Sequence, residues 1–249
     1  MEFSHDRLIT LWSVLACYAD EDPDQVATLF EGRATTYRAL RDNASALAER
    51  LSVDGYGKGD RIGYLGKNSD HYFALLFAVA RLGAVLVPLN WRLAADELAF
   101  IVADSEMVCL FNDQEFSTAA AALAKARGIP PFVLDNHLAP ARSEGMPLPE
   151  YLPEPEAVVF QVYTSGTTGR PKGAMLSHRN LLALRAPGYR AGLTWFPARG
   201  CTIGQVLPVA HIAGTAYALF GFYAGAKIVI AREFDAGSLP EPGNPGALC

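Results

Sequence analysis

Between Tyr163 and Gly173 the chain reads Tyr163-Thr164-Ser165-Gly166-Thr167-Thr168-Gly169-Arg170-Pro171-Lys172-Gly173, with three glycines, four aliphatic hydroxyls and two cations in eleven residues. Glycine permits positive φ and lets backbone N–H groups approach a polyanion, while hydroxyls donate to phosphate oxygens. Arg170 and Lys172 can neutralise the charge on the β- and γ-phosphates, so the pattern points to a nucleoside triphosphate rather than an uncharged ligand. The bland alternative is a soluble surface loop, for which such residues are common. A Walker A loop is a second rival, but Lys172 is followed by Gly173 and an apolar strand-like run where that motif requires Ser or Thr and a helix.

A second candidate is His211, within Pro208-Val209-Ala210-His211-Ile212-Ala213-Gly214. A lone histidine in an apolar segment is more often a satisfied core residue than a reacting one. Ile212, Ala213, Tyr217, Leu219, Phe220 and Phe222 around it could wall a hydrophobic cavity, although helix packing against a sheet accounts for most of them.

These residues need a scaffold, and the periodicity supplies one. Thr36 suits an N-cap for a helix over 37–53, with Leu40, Ala44, Leu47 and Leu51 on one face. A strand is expected over 61–65, a helix over 69–82 after an Asn68 cap and ending at Gly83, and a strand over 84–87 closed by Pro88. Helices over 95–104 and 115–128 alternate with strands over 107–111 and 132–134. After a proline-rich crossing at 136–156, read as an internal boundary, come strands over 157–163 and 174–176, a helix over 179–190, a strand over 202–206, a helix over 212–223 and a strand over 227–230. Such alternation predicts an α/β fold of layered parallel sheets covered by helices. Residues 236–249, with three prolines and three glycines and no periodicity, read as an extended tail.

Composition narrows the function classes. With 21 Lys and Arg against 26 Asp and Glu and no basic stripe, the chain has no nucleic-acid footprint. Cys17, Cys109, Cys201 and Cys249 have neither zinc-site nor disulfide-framework spacing, and read as reduced thiols. Residues 201–226 carry no formal charge, but Pro208, Gly214, Gly221 and Gly225 break the run, so no membrane span is expected. The N-terminal residues lack a secretory pattern, which favours a cytoplasmic protein.

The stretch YTSGTTGRPKGAMLSH at 163–178 resembles the signature loop of the adenylate-forming (AMP-binding) superfamily, which includes acyl-CoA synthetases, firefly-type luciferases and peptide-synthetase adenylation domains. Residues 81–90 (RLGAVLVPLN) and 207–214 (LPVAHIAG) resemble two further motifs of that superfamily, in the same order. The likeness implies residues 1–235 to be a partial N-terminal AMP-binding domain, with 236–249 outside the family pattern. It implies an AMP-forming acid-CoA ligase: a carboxylic acid is activated by ATP to an acyl-adenylate, then passed to coenzyme A as a thioester. By matching position Thr164, Ser165, Gly166, Thr167, Thr168, Gly169, Arg170 and Lys172 contact the phosphates, Thr164 lies near Mg²⁺, and His211 lines the carboxylate pocket. The absence of acidic residues from 200 to 231 favours an acid lacking an α-amino group, a fatty or otherwise hydrophobic one.

Members of the superfamily are roughly twice this length, and their later ribose-binding, magnesium-binding and catalytic-lysine motifs have no counterpart here. The resemblance therefore implies a truncated chain, weakly active or inactive alone. The alternative is a non-catalytic nucleotide-binding or interaction remnant. A homo-oligomer, a missing C-terminal portion or a peripheral membrane contact is compatible with either.

Overall fold

The computed structural model describes residues 7–138, 154–164, 170–183, 185–191 and 197–234. The tail, the middle of the proline-rich crossing and Ser165–Gly169 of the loop lie outside the described residues.

Two sheets carry the fold. In chain order the elements are α1 (Leu11–Glu21), β1 (Val26–Phe30), β2 (Arg33–Thr36), α2 (Tyr37–Val53), β3 (Arg61–Leu65), α3 (Asp70–Leu82), β4 (Val85–Leu89), α4 (Ala95–Asp104), β5 (Cys109–Asn112), α5 (Ser117–Arg127) and β6 (Pro131–Val133). They continue with β7 (Val158–Thr164), β8 (Lys172–Ser177), α6 (His178–Leu182), α7 (Arg185–Arg190), β9 (Thr202–Gln205), α8 (Ile212–Ala224) and β10 (Lys227–Ile230). One sheet has the order β2-β1-β10-β9 and the other β6-β5-β3-β4-β7-β8. Pairing is parallel except for β1 with β2 and β7 with β8. Strand β7, beyond the proline-rich crossing, joins the same sheet as the strands before it.

The centre is α3, apolar on all sides, as a helix enclosed by other elements must be. Tyr72, Phe73, Leu75, Leu76, Phe77 and Val79 have no exposed surface. Phe73 and Phe77 each meet Phe222 of α8 with ring centroids 5.2 Å apart, so burial of both helices is mutual. Burying one such side chain contributes roughly 2 kcal/mol. Ser69 Oγ accepts from Tyr72 N at 3.1 Å to start the helix, and Gly83, at φ 74°, ends it in the left-handed region that glycine adopts without strain.

Helices α2 and α4 and strands β3 and β10 have the bounds expected from periodicity, and Leu98, Ile101 and Val102 are the buried face of α4. Elsewhere the expectation shifts. The cap of α3 is Ser69, because Asn68 is spent on distant backbone groups. Pro88 lies inside β4 rather than closing it, since an extended strand accommodates its φ and the ladder to β7 is confined to Leu86–Phe160. Helix α1 and the β1–β2 hairpin, whose turn puts Glu31 and Gly32 at positive φ, precede the first element read from sequence.

Candidate functional site

The glycine-rich loop joins two antiparallel strands. Thr164 ends β7, Lys172 begins β8, and the two are register partners. A strand, not a helix, thus follows the loop, in agreement with the sequence argument against a Walker site. Thr164, Arg170 and Lys172 are all exposed, and the Arg170 guanidinium lies 5.9 Å from the centroid of Phe100 on α4, a cation–π distance that helps hold it. Gly173 faces Tyr163 across the hairpin, and a Cβ there would stand 2.6 Å from Gln161 Nε2 and 3.0 Å from the Tyr163 ring. A side chain at the last glycine of the motif would therefore make Gln161 and Tyr163 shift.

His211 comes from the other sheet's side of the molecule. Its segment leaves β9, turns through Pro208 and enters α8, with His211 N donating to Pro208 O at 3.1 Å. The turn is held from within. Val209 N donates to Asn68 Oδ1 at 2.9 Å, and the hydroxyl of Thr215 donates to Val209 O at 2.9 Å while meeting the phenol oxygen of Tyr72 at 2.6 Å. Gly214 completes it, since a Cβ at that position would lie 2.2 Å from the Pro208 carbonyl oxygen. The spacing of Pro208, His211 and Gly214 is thus set by backbone against backbone. His211 itself is exposed, which removes the reading of a buried core histidine.

These pieces meet at one cavity of about 430 Å³. Thr164, Arg170 and Pro171 form one wall and Ala210 and His211 another, while Pro88 comes from β4, Asn90 and Leu93 follow it, and Glu97 and Ile101 come from α4. Lys172 is beside this wall, paired to Thr164, and is not among its lining residues. Asn90 Nδ2 lies 3.5 Å from His211 Nε2, and its Oδ1 accepts from Arg92 N at 3.1 Å. Glu97 Oε2 accepts from Ala94 N at 2.9 Å, which fixes that carboxylate at the N-terminus of α4.

Sequence reasoning missed Asn90, Glu97 and Asn68 as parts of the site. Asn90 falls inside the second motif, which was a usable signal; Glu97 and Asn68 had none, because only the fold brings them near 207–211. Of the apolar residues after His211, Leu219 and Phe222 are buried in the core, as helix packing demands, and Tyr217 is exposed; none lines this cavity. His178, at the end of the signature stretch, serves the scaffold instead. Its Nδ1 accepts from Leu11 N at 3.1 Å in a buried setting, and desolvation lowers its pKa to about 4.

Among the described residues no cluster of His, Cys, Asp or Glu could by itself hold a metal ion. A divalent ion at this cavity would therefore have to arrive on the oxygens of an anionic ligand, the usual habit of Mg²⁺. Cys17, Cys109 and Cys201 form no disulfide, and no helix among the described residues is long and apolar enough to cross a membrane.

The sequence profile of the family described as AMP-binding enzyme matches residues 16–242. The chain belongs to this family. The AMP-binding chain is 37% identical over 236 residues to the fatty acid–acyl-carrier-protein ligase ScoC of Streptomyces coeruleorubidus, covering 93% of this chain and 45% of that protein. It is 42% identical over 161 residues to a feruloyl-CoA synthase of an Amycolatopsis species, covering 64% of this chain and 31% of that protein. Among solved structures, the inhibitor-bound N-terminal domain of FACL13 from Mycobacterium tuberculosis superposes with TM-score 0.80 at 27% identity, covering 92% of this chain and 58% of that one. ATP-bound MatB from Rhodopseudomonas palustris superposes with TM-score 0.76 at 26% identity, covering 89% and 45%. The AMP-binding chain thus has the fold of the N-terminal domains of adenylate-forming enzymes and spans about half the length, or less, of the curated relatives it matches.

Proposed function

We propose that this chain supplies the phosphate-binding and carboxylate-facing half of an AMP-forming acid ligase. The observation that carries the reading is the convergence of Thr164, Arg170 and His211, from separated segments, on one cavity. In such a reaction the carboxylate attacks the α-phosphorus of ATP, and the leaving pyrophosphate must be held and neutralised. Arg170 and Lys172 supply positive charge at that end, and the Thr164 hydroxyl, with the amides of Ser165, Gly166, Thr167, Thr168 and Gly169, supplies donors. Mg²⁺ carried on the phosphates would lower the charge that the loop must meet, with Thr164 beside it. His211 holds the acid at the opposite wall.

The apolar share of that wall, Pro88, Leu93, Ile101 and Ala210, supports a hydrophobic acid, fatty or aromatic. The acceptor of the acyl group is a thiol, of coenzyme A or of a carrier-protein arm; relatives of both kinds are known by name. A second reading, a nucleotide-binding or interaction protein without turnover, needs only the loop and its cavity. Titration with ATP and Mg²⁺, followed by acid-dependent exchange of labelled pyrophosphate into ATP, separates the two. Binding weakened about tenfold in Arg170→Ala together with exchange supports the ligase, binding without exchange the second reading, and no binding at millimolar ATP refutes the ligase and the nucleotide-binding form of the second reading.

A further inference from the structure

The side-chain amide of Asn90 is oriented by its own chain. Its Oδ1 accepts from Arg92 N at 3.1 Å, and the turn is closed by Leu93 N donating to Asn90 O at 3.0 Å. An Asx turn of this kind distinguishes the oxygen from the nitrogen of the amide, because only the oxygen can accept. Nδ2, a donor only, is therefore the atom turned toward His211 Nε2, at 3.5 Å.

We propose that Asn90 is a positioning residue that selects, for the His211 imidazole, the tautomer with its proton on Nδ1. An imidazole with its proton on Nε2 would set two donors against each other across the contact. The imidazole backbone is fixed as well: His211 N is bonded to Pro208 O, His211 O accepts from Gly214 N at 3.0 Å, and the ring does not cap α8. With Nε2 engaged by Asn90, Nδ1–H is the donor the ring can offer. A length of 3.5 Å suits a contact that tightens when a substrate is in place. The tautomer rests on this contact and not on turnover; its use, donating to an oxygen of the activated acid, rests on the ligase reading above.

Long-range ¹⁵N–¹H correlation of the full chain labelled with ¹⁵N-histidine reads the tautomer directly, the His211 ring being assigned by its disappearance in His211→Gln. The expected spectrum has a protonated Nδ1 and an unprotonated Nε2. In Asn90→Asp the carboxylate accepts where the amide donated, and the assignment inverts to Nε2–H; in Asn90→Ala it relaxes toward a mixture. A wild-type ring protonated on Nε2 overturns the proposal without any variant, and so does an Asn90→Asp spectrum identical to wild type. Neither outcome depends on turnover, so a chain inactive as a ligase can still pass or fail.

Discussion

The phenol of Tyr163 donates to Asp104 Oδ2 at 2.6 Å, joining the strand that leads into the glycine-rich loop to the last residue of α4, 59 positions earlier. Burial first, and the carboxylate acceptor second, push the phenol well above its ordinary pKa, so it remains a donor into the alkaline range. A carboxylate at a helix C-terminus is otherwise unfavourable, and the bond offsets that. Tyr163→Phe should lower stability by about 1 kcal/mol. Denaturant midpoints check this, and an unchanged midpoint would mean that the bond contributes nothing net.

Gly173→Ala forces a methyl against the Gln161 amide and the Tyr163 ring. Side chains can yield where backbone cannot, so about 1 kcal/mol of destabilisation is expected here, against about 3 kcal/mol for Gly214→Ala, whose Cβ meets the Pro208 carbonyl. Comparing the two midpoints tests the ranking. Gly214→Ala should also displace His211 from Asn90, visible in the imidazole resonances.

Arg33 holds Asp70 with two bonds, Nε to Oδ2 at 2.8 Å and Nη2 to Oδ1 at 2.7 Å, and Asp70 is only 4% exposed. Arg33→Ala leaves that carboxylate buried without its cation. Because the arginine is half exposed, we expect a loss of about 2 kcal/mol, less than for a fully buried pair. Asp70→Asn in the Arg33→Ala background should recover part of it; no recovery would argue that the charge is not the cause.

His178 makes stability depend on pH. Its folded pKa of about 4 lies below the ordinary 6.5, so the unfolded chain takes the proton first. The contribution is complete above about pH 6.5 and is lost as pH falls toward 4, a difference worth about 3 kcal/mol. Protonation also removes the acceptor for Leu11 N and frees the start of α1. Urea midpoints at pH 7.5 and 4.5 should converge in His178→Gln relative to wild type, and equal pH slopes in the two proteins would contradict the assignment.

Much of the scaffold was legible locally. Where one face of an element is buried, its period is written in the chain: Leu40, Ala44, Leu47 and Leu51 mark α2, and Leu98, Ile101 and Val102 mark α4. The glycine-rich loop stood out as a candidate for phosphate chemistry, because a backbone approached by a polyanion tolerates few other residues. Helix α1 was overlooked although Leu11, Val14, Leu15 and Tyr18 mark its buried face in the same way, whereas the β1–β2 hairpin left no such trace. The short strands of that hairpin are buried irregularly, and β1 acquires its parallel partner, β10, only from the far end of the chain.

By itself, then, the sequence determined the family and singled out Thr164, Arg170, Lys172 and His211 as candidates for its site. It could not determine that Thr164, Arg170 and His211 share a cavity, nor that Asn68, Asn90 and Glu97 help build it. Those are contacts across tens of residues, set by how two sheets close on α3. Local periodicity specifies which face of an element is apolar; only packing decides which distant polar group that face brings within hydrogen-bond reach.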